Sequence, residues 1–184
     1  MNDQLEIAFT SNDIESSQAF AKTLNGWSYT DPREKWQHLP FRTLVTVTTD
    51  DLSEVARHAD VGLYVVYRRI IKPGTANVFG LFPMIHHPQK DHQQCDAHWR
   101  DNHGPLALEH HAHMTNYIQL SVLHTIAGPE VDGFALCGFD NESDLRNRFY
   151  TTKESVGVIA ADVKRFADPK NSPPRLIATP TEYT

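Results

Sequence analysis

The sequence predicts an α+β protein in which the order β-α-β-β-α-β occurs twice, the two units closing on each other as an α+β barrel. Three observations lead there. Runs of β-branched and apolar residues alternate with stretches of helical periodicity. A Pro-Gly pair in Lys72-Pro73-Gly74-Thr75 lies between two apolar runs and divides residues 1–74 from 75–184. The second stretch repeats the element order of the first, although no sequence identity between them is visible. A chain of 184 residues can bury about 70% of its unfolded surface, enough for one good core or two small fused ones.

The elements follow in order. Leu5 to Thr10 is an apolar run. Asn12 with Glu15 makes a capping-box-like helix start, Ile14, Ala19, Phe20 and Leu24 recur at helical spacing, and Gly26 stops the helix. Residues 27–40 read as irregular or weakly β, broken by Pro32 and Pro40. Thr43 to Thr48 is a β-branched strand, Asp50 or Asp51 caps a short helix through Ala59, and Val61 to Ile71 is the strongest strand signal.

In the second part Val78 to His86 is a strand whose Pro83 suggests an edge or a bulge. Gln89 to His103 is helical. Gly104-Pro105 interrupts it, because glycine is a poor helix former and the residue before proline is steered from the α region. Pro105 then opens a second piece, Leu106 to about His111. Tyr117 to Thr125 and Phe134 to Phe139 are strands about the Asp132-Gly133 turn. Asn141 caps a long helical region with Leu145, Phe149, Val156, Ile159, Ala160, Val163 and Phe166 as apolar positions, and Leu176 to Thr181 closes the unit. This is the ferredoxin-like order. On the Tyr117 strand, Ile118, Leu120 and Val122 suit helix packing. Tyr117, Gln119 and Ser121 point the other way, into a semi-polar cavity between two facing sheets.

Composition excludes several classes. Seventeen Lys+Arg against twenty-three Asp+Glu give a formal charge of −6, with no basic block to neutralise phosphates, so no nucleic-acid partner is expected. The densest apolar stretch, Val61 to Ile71, contains Arg68 and Arg69, so no membrane span is expected. The first residues lack a basic region followed by an apolar core. Cys95 and Cys137 are too few for a disulfide framework, and a cytoplasmic location is the simplest expectation. Eleven histidines are present, nine of them between His86 and His124.

The segment from His98 to Ala107, HWRDNHGPLA, is the most informative. Trp99 and His103 are four apart and share a helix face. His103 falls where the helix is expected to break, and a helix C-terminus would stabilise a proton on it. An imidazole titrates near neutrality and suits proton transfer. The residues alone serve two readings of His103 equally: an acid–base group, or a cap bonding a carbonyl.

The pattern H-W-x-x-x-H-G-P-L-A, then Tyr117-Ile118-Gln119-x-x-Val122, then Asp132-Gly133 before a strand ending Phe139-Asp140, then Ala161-Asp162-x-x-x-Phe166, resembles the EthD family over about residues 78–183. The resemblance implies a dimeric α+β barrel of ferredoxin-like units. It also implies action on hydrophobic carbonyl-bearing or aromatic compounds by dehydration, decarboxylation, isomerisation or oxidation without a tightly bound cofactor, or an accessory binding role beside an oxidation system. Carried onto this chain, it points to His103, Tyr117 and Asp162 as catalytic residues, and to His98, Trp99, Gln119 and Ser121 as substrate-binding residues, with a small hydrophobic molecule as partner. Asp162 also has a plainer reading as a helix-surface or capping carboxylate. Residues 1–74 carry no motif of this family. If they form the other barrel half, one chain does what a dimer does elsewhere; a homodimer of the whole chain stays open.

A metal-dependent oxygenase is the third functional reading. His86-His87, His110-His111-x-His113 and His124 could supply imidazoles, but no carboxylate follows His113 at a useful spacing and no H-E-x-x-H occurs, so no metal is assigned. His98 and His103, five apart, are awkwardly spaced for one ion. There is no G-x-G-x-x-G, no Walker motif and no G-x-S-x-G elbow, hence no nucleotide cofactor and no serine nucleophile are expected.

Overall fold

The structure, a computed structural model, describes residues 4–184. The elements are β1 (Gln4–Ser11), α1 (Ile14–Thr23), β2 (Trp27–Thr30), β3 (Thr43–Val47), α2 (Leu52–Ala56), β4 (Gly62–Lys72), β5 (Val78–Met84), α3 (His92–His98), a π-helical turn (Trp99–His103), α4 (Gly104–His110), β6 (Asn116–Ala127), β7 (Gly133–Phe139), α5 (Glu142–Asn147), α6 (Lys153–Phe166) and β8 (Leu176–Glu182).

The eight strands form a closed barrel in the order β1-β3-β2-β8-β5-β7-β6-β4, antiparallel throughout. Each half has the ferredoxin-like strand order: β4-β1-β3-β2 in the first and β6-β7-β5-β8 in the second. Two seams join them. At one, β2 pairs β8 from Trp27↔Glu182 to Thr30↔Thr179. At the other, the long β4 and β6 pair through three register shifts. One chain therefore completes the barrel, and closure leaves no sheet edge exposed.

The short strand β2 lies in the stretch that reads as irregular from sequence. Asp31 holds its end: the buried carboxylate accepts from Ile177 N at 3.0 Å on the far side of the seam and pairs with the Arg33 guanidinium. Helix α1 is capped by Asp13, which accepts from Ser16 N, not by Asn12; the Asn12 amide is instead bonded to Asp60. Pro83 pairs only with β7, beyond the last β8 partner at Leu81↔Leu176, so its missing N–H costs no ladder bond. The helical region after Asn141 is two helices. Thr152 starts the second with a capping box to Ser155, and Phe149 and Tyr150 occupy the turn between them.

The strand faces are opposite to the sequence expectation. Ile118, Leu120 and Val122 point into the barrel, where they pack with Tyr64, Phe79, Leu81, Phe134 and Leu136. Large rings fill most of the lumen; Tyr64 meets Phe134 edge-on at 5.4 Å. Tyr117, Gln119 and Ser121 face outward, beneath α3, the π turn and α4. The apolar set goes inside because the barrel closes in one chain and two sheets supply rings to one interior. The outer face of β6 is then left to pack against helices that carry polar groups. Strand β7 is buried along its whole length, as expected for a strand covered on both sides.

Candidate functional site

The site is built on a helix that bends without ending. Pro105 has no N–H, and its ring would crowd the carbonyl of residue 101 in a straight α-helix. The chain relieves this by widening one turn: Gly104 N–H donates to Trp99 O, five residues back, and α4 continues directly. The expected break at Gly104-Pro105 is thus a π turn. A wider turn stacks residues i and i+5, so His98 and His103 reach the same carboxylate. His98 Nε2 lies 2.9 Å from Asp162 Oδ1, and His103 Nδ1 lies 2.9 Å from Asp162 Oδ2. No helix terminus stands at His103, so the expected stabilisation of its proton is absent. Burial is the main influence and pushes its pKa below the usual 6.5, and the Asp162 carboxylate only partly offsets this.

These partners fix the proton. Burial by itself would raise the Asp162 pKa, but the hydrogen bonds from His98 and His103 outweigh it and hold the group ionised. A carboxylate only accepts, so His103 donates from Nδ1 and leaves Nε2 bare. His103 also lines a cavity of about 440 Å³ between the outer face of the β5–β7–β6 sheet and the helices α4 and α6. The walls include Phe82, Trp99, Ala107, Ala135, Phe149 and Phe166.

Tyr117 enters the same cavity from β6. Its hydroxyl oxygen accepts from Trp99 Nε1 at 3.0 Å and from Gln119 Nε2 at 3.2 Å. Gln119 Nε2 also donates to Trp99 O at 3.1 Å; turning the amide over would set two oxygens against each other, so its orientation is fixed. With two donors on its oxygen, the Tyr117 O–H is left to point at whatever fills the cavity. Burial raises the Tyr117 pKa, so it stays a donor. Trp99 is held beneath by Gly133, where a Cβ would stand 2.6 Å from the indole ring.

A family match covers the same elements: the EthD domain matches residues 87–170. This stretch is similar to the EthD domain. It contains His98, Trp99, His103, Tyr117 and Asp162. No curated protein matches the sequence. Among solved structures, an anthrone oxidase-like protein superposes with a TM-score of 0.56 at 9% identity, over 97% of this chain and 90% of that one. The "putative monooxygenase" of Lactobacillus acidophilus NCFM gives 0.51 at 8% identity, over 100% and 95% of the two chains. That of Fusobacterium nucleatum gives 0.50 at 13%, over 98% and 92%. At these identities the likeness speaks for the α+β barrel fold.

The structure brings together His103, Tyr117 and Trp99 at the cavity wall. His98, Asp162 and Gln119 stand one layer behind. His98 stacks on Phe166 with ring centres 5.4 Å apart and does not reach the cavity. Ser121 does not belong to the site. Its hydroxyl donates to Asp96 Oδ1 at 2.6 Å, and Asp96 in turn holds Arg69, itself 5.4 Å over the Trp99 ring. The other histidines stand apart from this cavity, save His111. His86 and His92 bond Asp132, His110 bonds Ser155, and His113 meets Arg148. Among the described residues no three His, Cys, Asp or Glu side chains form a metal-binding group, and no helix is long and apolar enough to cross a membrane.

Sequence reading missed His111, Cys137 and Tyr150, which also line the cavity. Cys137 alternates outward with Ala135 and Phe139 on β7, and burial pushes its thiol pKa up to about 12, so it is an inert wall group. His111 donates Nδ1–H to Phe149 O at 2.6 Å; burial lowers its pKa to about 4. The unfolded imidazole binds a proton near pH 6.5 and the folded one only near 4, so stability present above pH 6.5 is lost as pH falls from 6.5 towards 4. The loss is on the order of 3 kcal/mol. Urea unfolding at pH 7 and pH 5 should show about 2 kcal/mol of it, and His111→Asn, whose amide can keep the bond to Phe149 O, should flatten the dependence.

Proposed function

We propose that this protein is an enzyme acting on small apolar molecules that carry a carbonyl or phenolic oxygen. His103 Nε2 removes a proton from the bound molecule, and Tyr117 O–H donates to the oxygen on which charge develops. The observation that supports this is the pairing at one apolar cavity of a bare imidazole nitrogen with a donor hydroxyl, each fixed from behind. In an apolar cavity a fixed dipole acts on developing charge more strongly than in water. Asp162 keeps the imidazole in the required tautomer and stabilises the cation formed when it takes the proton. Gln119 and Trp99 aim the hydroxyl.

An enolate formed this way can expel a β-hydroxyl as water, return a proton at another carbon, or react with dioxygen; loss of carbon dioxide from a β-keto carboxylate would generate the same enolate, with the Tyr117 O–H donating to its oxygen. The name of the anthrone oxidase-like neighbour agrees with the reaction with dioxygen, since an anthrone is an aryl ketone with acidic hydrogens. The test is exchange of an acidic C–H for deuterium in D₂O across a panel of aryl ketones, with the rate followed by NMR.

Two outcomes are expected. The rate should be flat through neutral pH and fall only on the acid side, below 6.5, because burial has lowered the His103 pKa; a fall above pH 7 would contradict the assignment. Tyr117→Phe should slow exchange by about tenfold, the worth of one neutral hydrogen bond, and should destabilise the fold because Trp99 Nε1 loses its acceptor while Gln119 Nε2 keeps only Trp99 O.

A further inference from the structure

A second space adjoins the His103 cavity. It measures about 570 Å³ and shares Phe82, Phe149 and Tyr150 with the inner cavity as common walls. The Phe82 and Phe149 ring centres are 5.7 Å apart, and Phe149 meets Tyr150 edge-on at 5.0 Å. Its remaining walls include Arg146, Lys153 and Arg175, all exposed. It is a vestibule, open to water, beside an apolar chamber.

The charge of the two spaces is one-sided. The chain as a whole carries −6, yet no Asp or Glu lines either space. Apart from histidines, their charged groups are Arg146, Lys153 and Arg175 outside and Lys164 on the inner wall. The two nearby carboxylates are taken up. Glu142 pairs with Arg146 at 2.6 Å, and Glu154 bonds its own backbone N–H and the Thr152 hydroxyl at the start of α6. Among the described residues the side chains of Arg175 and Lys153 have no hydrogen bond and no ion pair.

Arg175 is the better placed of these two. Its guanidinium carbon stands 5.8 Å over the Phe82 ring, a ring common to both spaces. Its charge is felt inside: it works against the upward push of burial on the Tyr150 hydroxyl and the Cys137 thiol. A guanidinium offers a carboxylate two parallel N–H bonds, and this one has no carboxylate of the protein to receive them. We propose that the molecule taken into the His103 cavity carries a carboxylate at the end away from its reacting carbon, and that Arg175 and Lys153 hold that carboxylate in the vestibule. This rests on the reading of His103 as the base and adds the substrate's class, an aryl ketone acid bound ring inward and charge outward. The carboxylate is retained through the reaction. It fixes which end of the molecule reaches His103, and the cations draw the anion towards the mouth.

The probes are para-acetylbenzoate and the longer acetylbiphenyl carboxylate, each compared with its carboxamide, a neutral molecule of like shape. Affinities are read by calorimetric titration of the full chain at low and at physiological salt. At least one acid should bind about 10-fold tighter than its amide, as two cations at a partly open site allow, and the preference should shrink as salt rises. Arg175→Gln should cut the preference to about 3-fold or less. Adding Lys153→Gln should abolish it, with amide affinity unchanged in both variants. Both residues are exposed, so the variants should fold. His103→Gln should leave the preference intact, so the two readings fail separately. Exchange without an acid preference sinks this proposal and spares the base; an acid preference without exchange does the reverse. The proposal is also overturned if none of the four probes binds at millimolar concentration, or if Lys164→Gln removes the preference and Arg175→Gln leaves it.

Discussion

His103→Gln should lower turnover of a responsive substrate by about 10²- to 10⁴-fold, the usual worth of a positioned acid–base group, while ligand affinity changes only a few-fold. Glutamine keeps a donor towards Asp162 and a similar length, but offers no nitrogen lone pair to the cavity. The cavity walls are otherwise unaltered, because Phe166, whose ring centre is 4.9 Å from His103, is also packed by His98. The variant therefore separates binding from chemistry, which are the two readings the resemblance leaves open. Unchanged turnover with unchanged binding would remove His103 from the reaction. Retained binding with no turnover would separate this protein from a carrier, which needs no base. The measurement is single-turnover exchange together with ligand titration on the same preparations.

Asp96→Ala should destabilise the fold by about 3–5 kcal/mol, the range seen when one partner of a buried ion pair is removed. Arg69 is 4% exposed and donates through Nη1 and Nη2 to the two Asp96 oxygens. Ser121 adds a third bond to the same carboxylate. Without Asp96, a guanidinium is left buried beside the Trp99 ring with no counter-charge, and Ser121 loses its acceptor. This ion pair joins β4 of the first half to α3 of the second, across the β4–β6 seam. Urea midpoints for the single variants Asp96→Ala and Arg69→Met and for the double variant would read the coupling. The double variant should recover much of the loss, since removing both charges avoids the unpaired one.

Much of the fold is legible in the sequence because period and punctuation act locally. The β-branched run of β3, the Pro73-Gly74 connection and the Asp132-Gly133 turn each need only their neighbours. The halves, their element order and the barrel follow from such signals. What fails is decided over distance. Strand β2 has four residues and is held by pairing on both sides and by Asp31 reaching β8, none of which is local. The two faces of β6 were told apart by polarity, but polarity does not say whether the lumen or the helix layer is apolar. Here Phe134, Tyr64 and Phe79 from three other strands take the lumen, so the hydroxyl of Tyr117 turns outward.

The site shows the same division. His103, Tyr117 and Asp162 are each visible as residues in a motif, and the geometry joins His98 and His103 to Asp162 by a route the spacing conceals. A five-residue separation looks wrong for convergence on a regular helix. It becomes right when Pro105 forces a π turn, and the Gly104-Pro105 pair that suggested a break was the trace of that turn. Ser121 was legible only as a polar residue on the same face as Tyr117. Its capture by Asp96 depends on Arg69 from another strand. His111 and Tyr150 reach the cavity from turns after α4 and α5, where no periodicity marks them.

The proposed proton abstraction needs His103 to present an unprotonated Nε2 to the apolar cavity at neutral pH. Long-range ¹H–¹⁵N NMR of histidine-labelled protein reads this without a substrate. The expected result at pH 7 is a neutral ring with the proton on Nδ1 and a bare-nitrogen shift at Nε2, titrating only below pH 6.5. An imidazolium at pH 7, or a proton on Nε2, would contradict it.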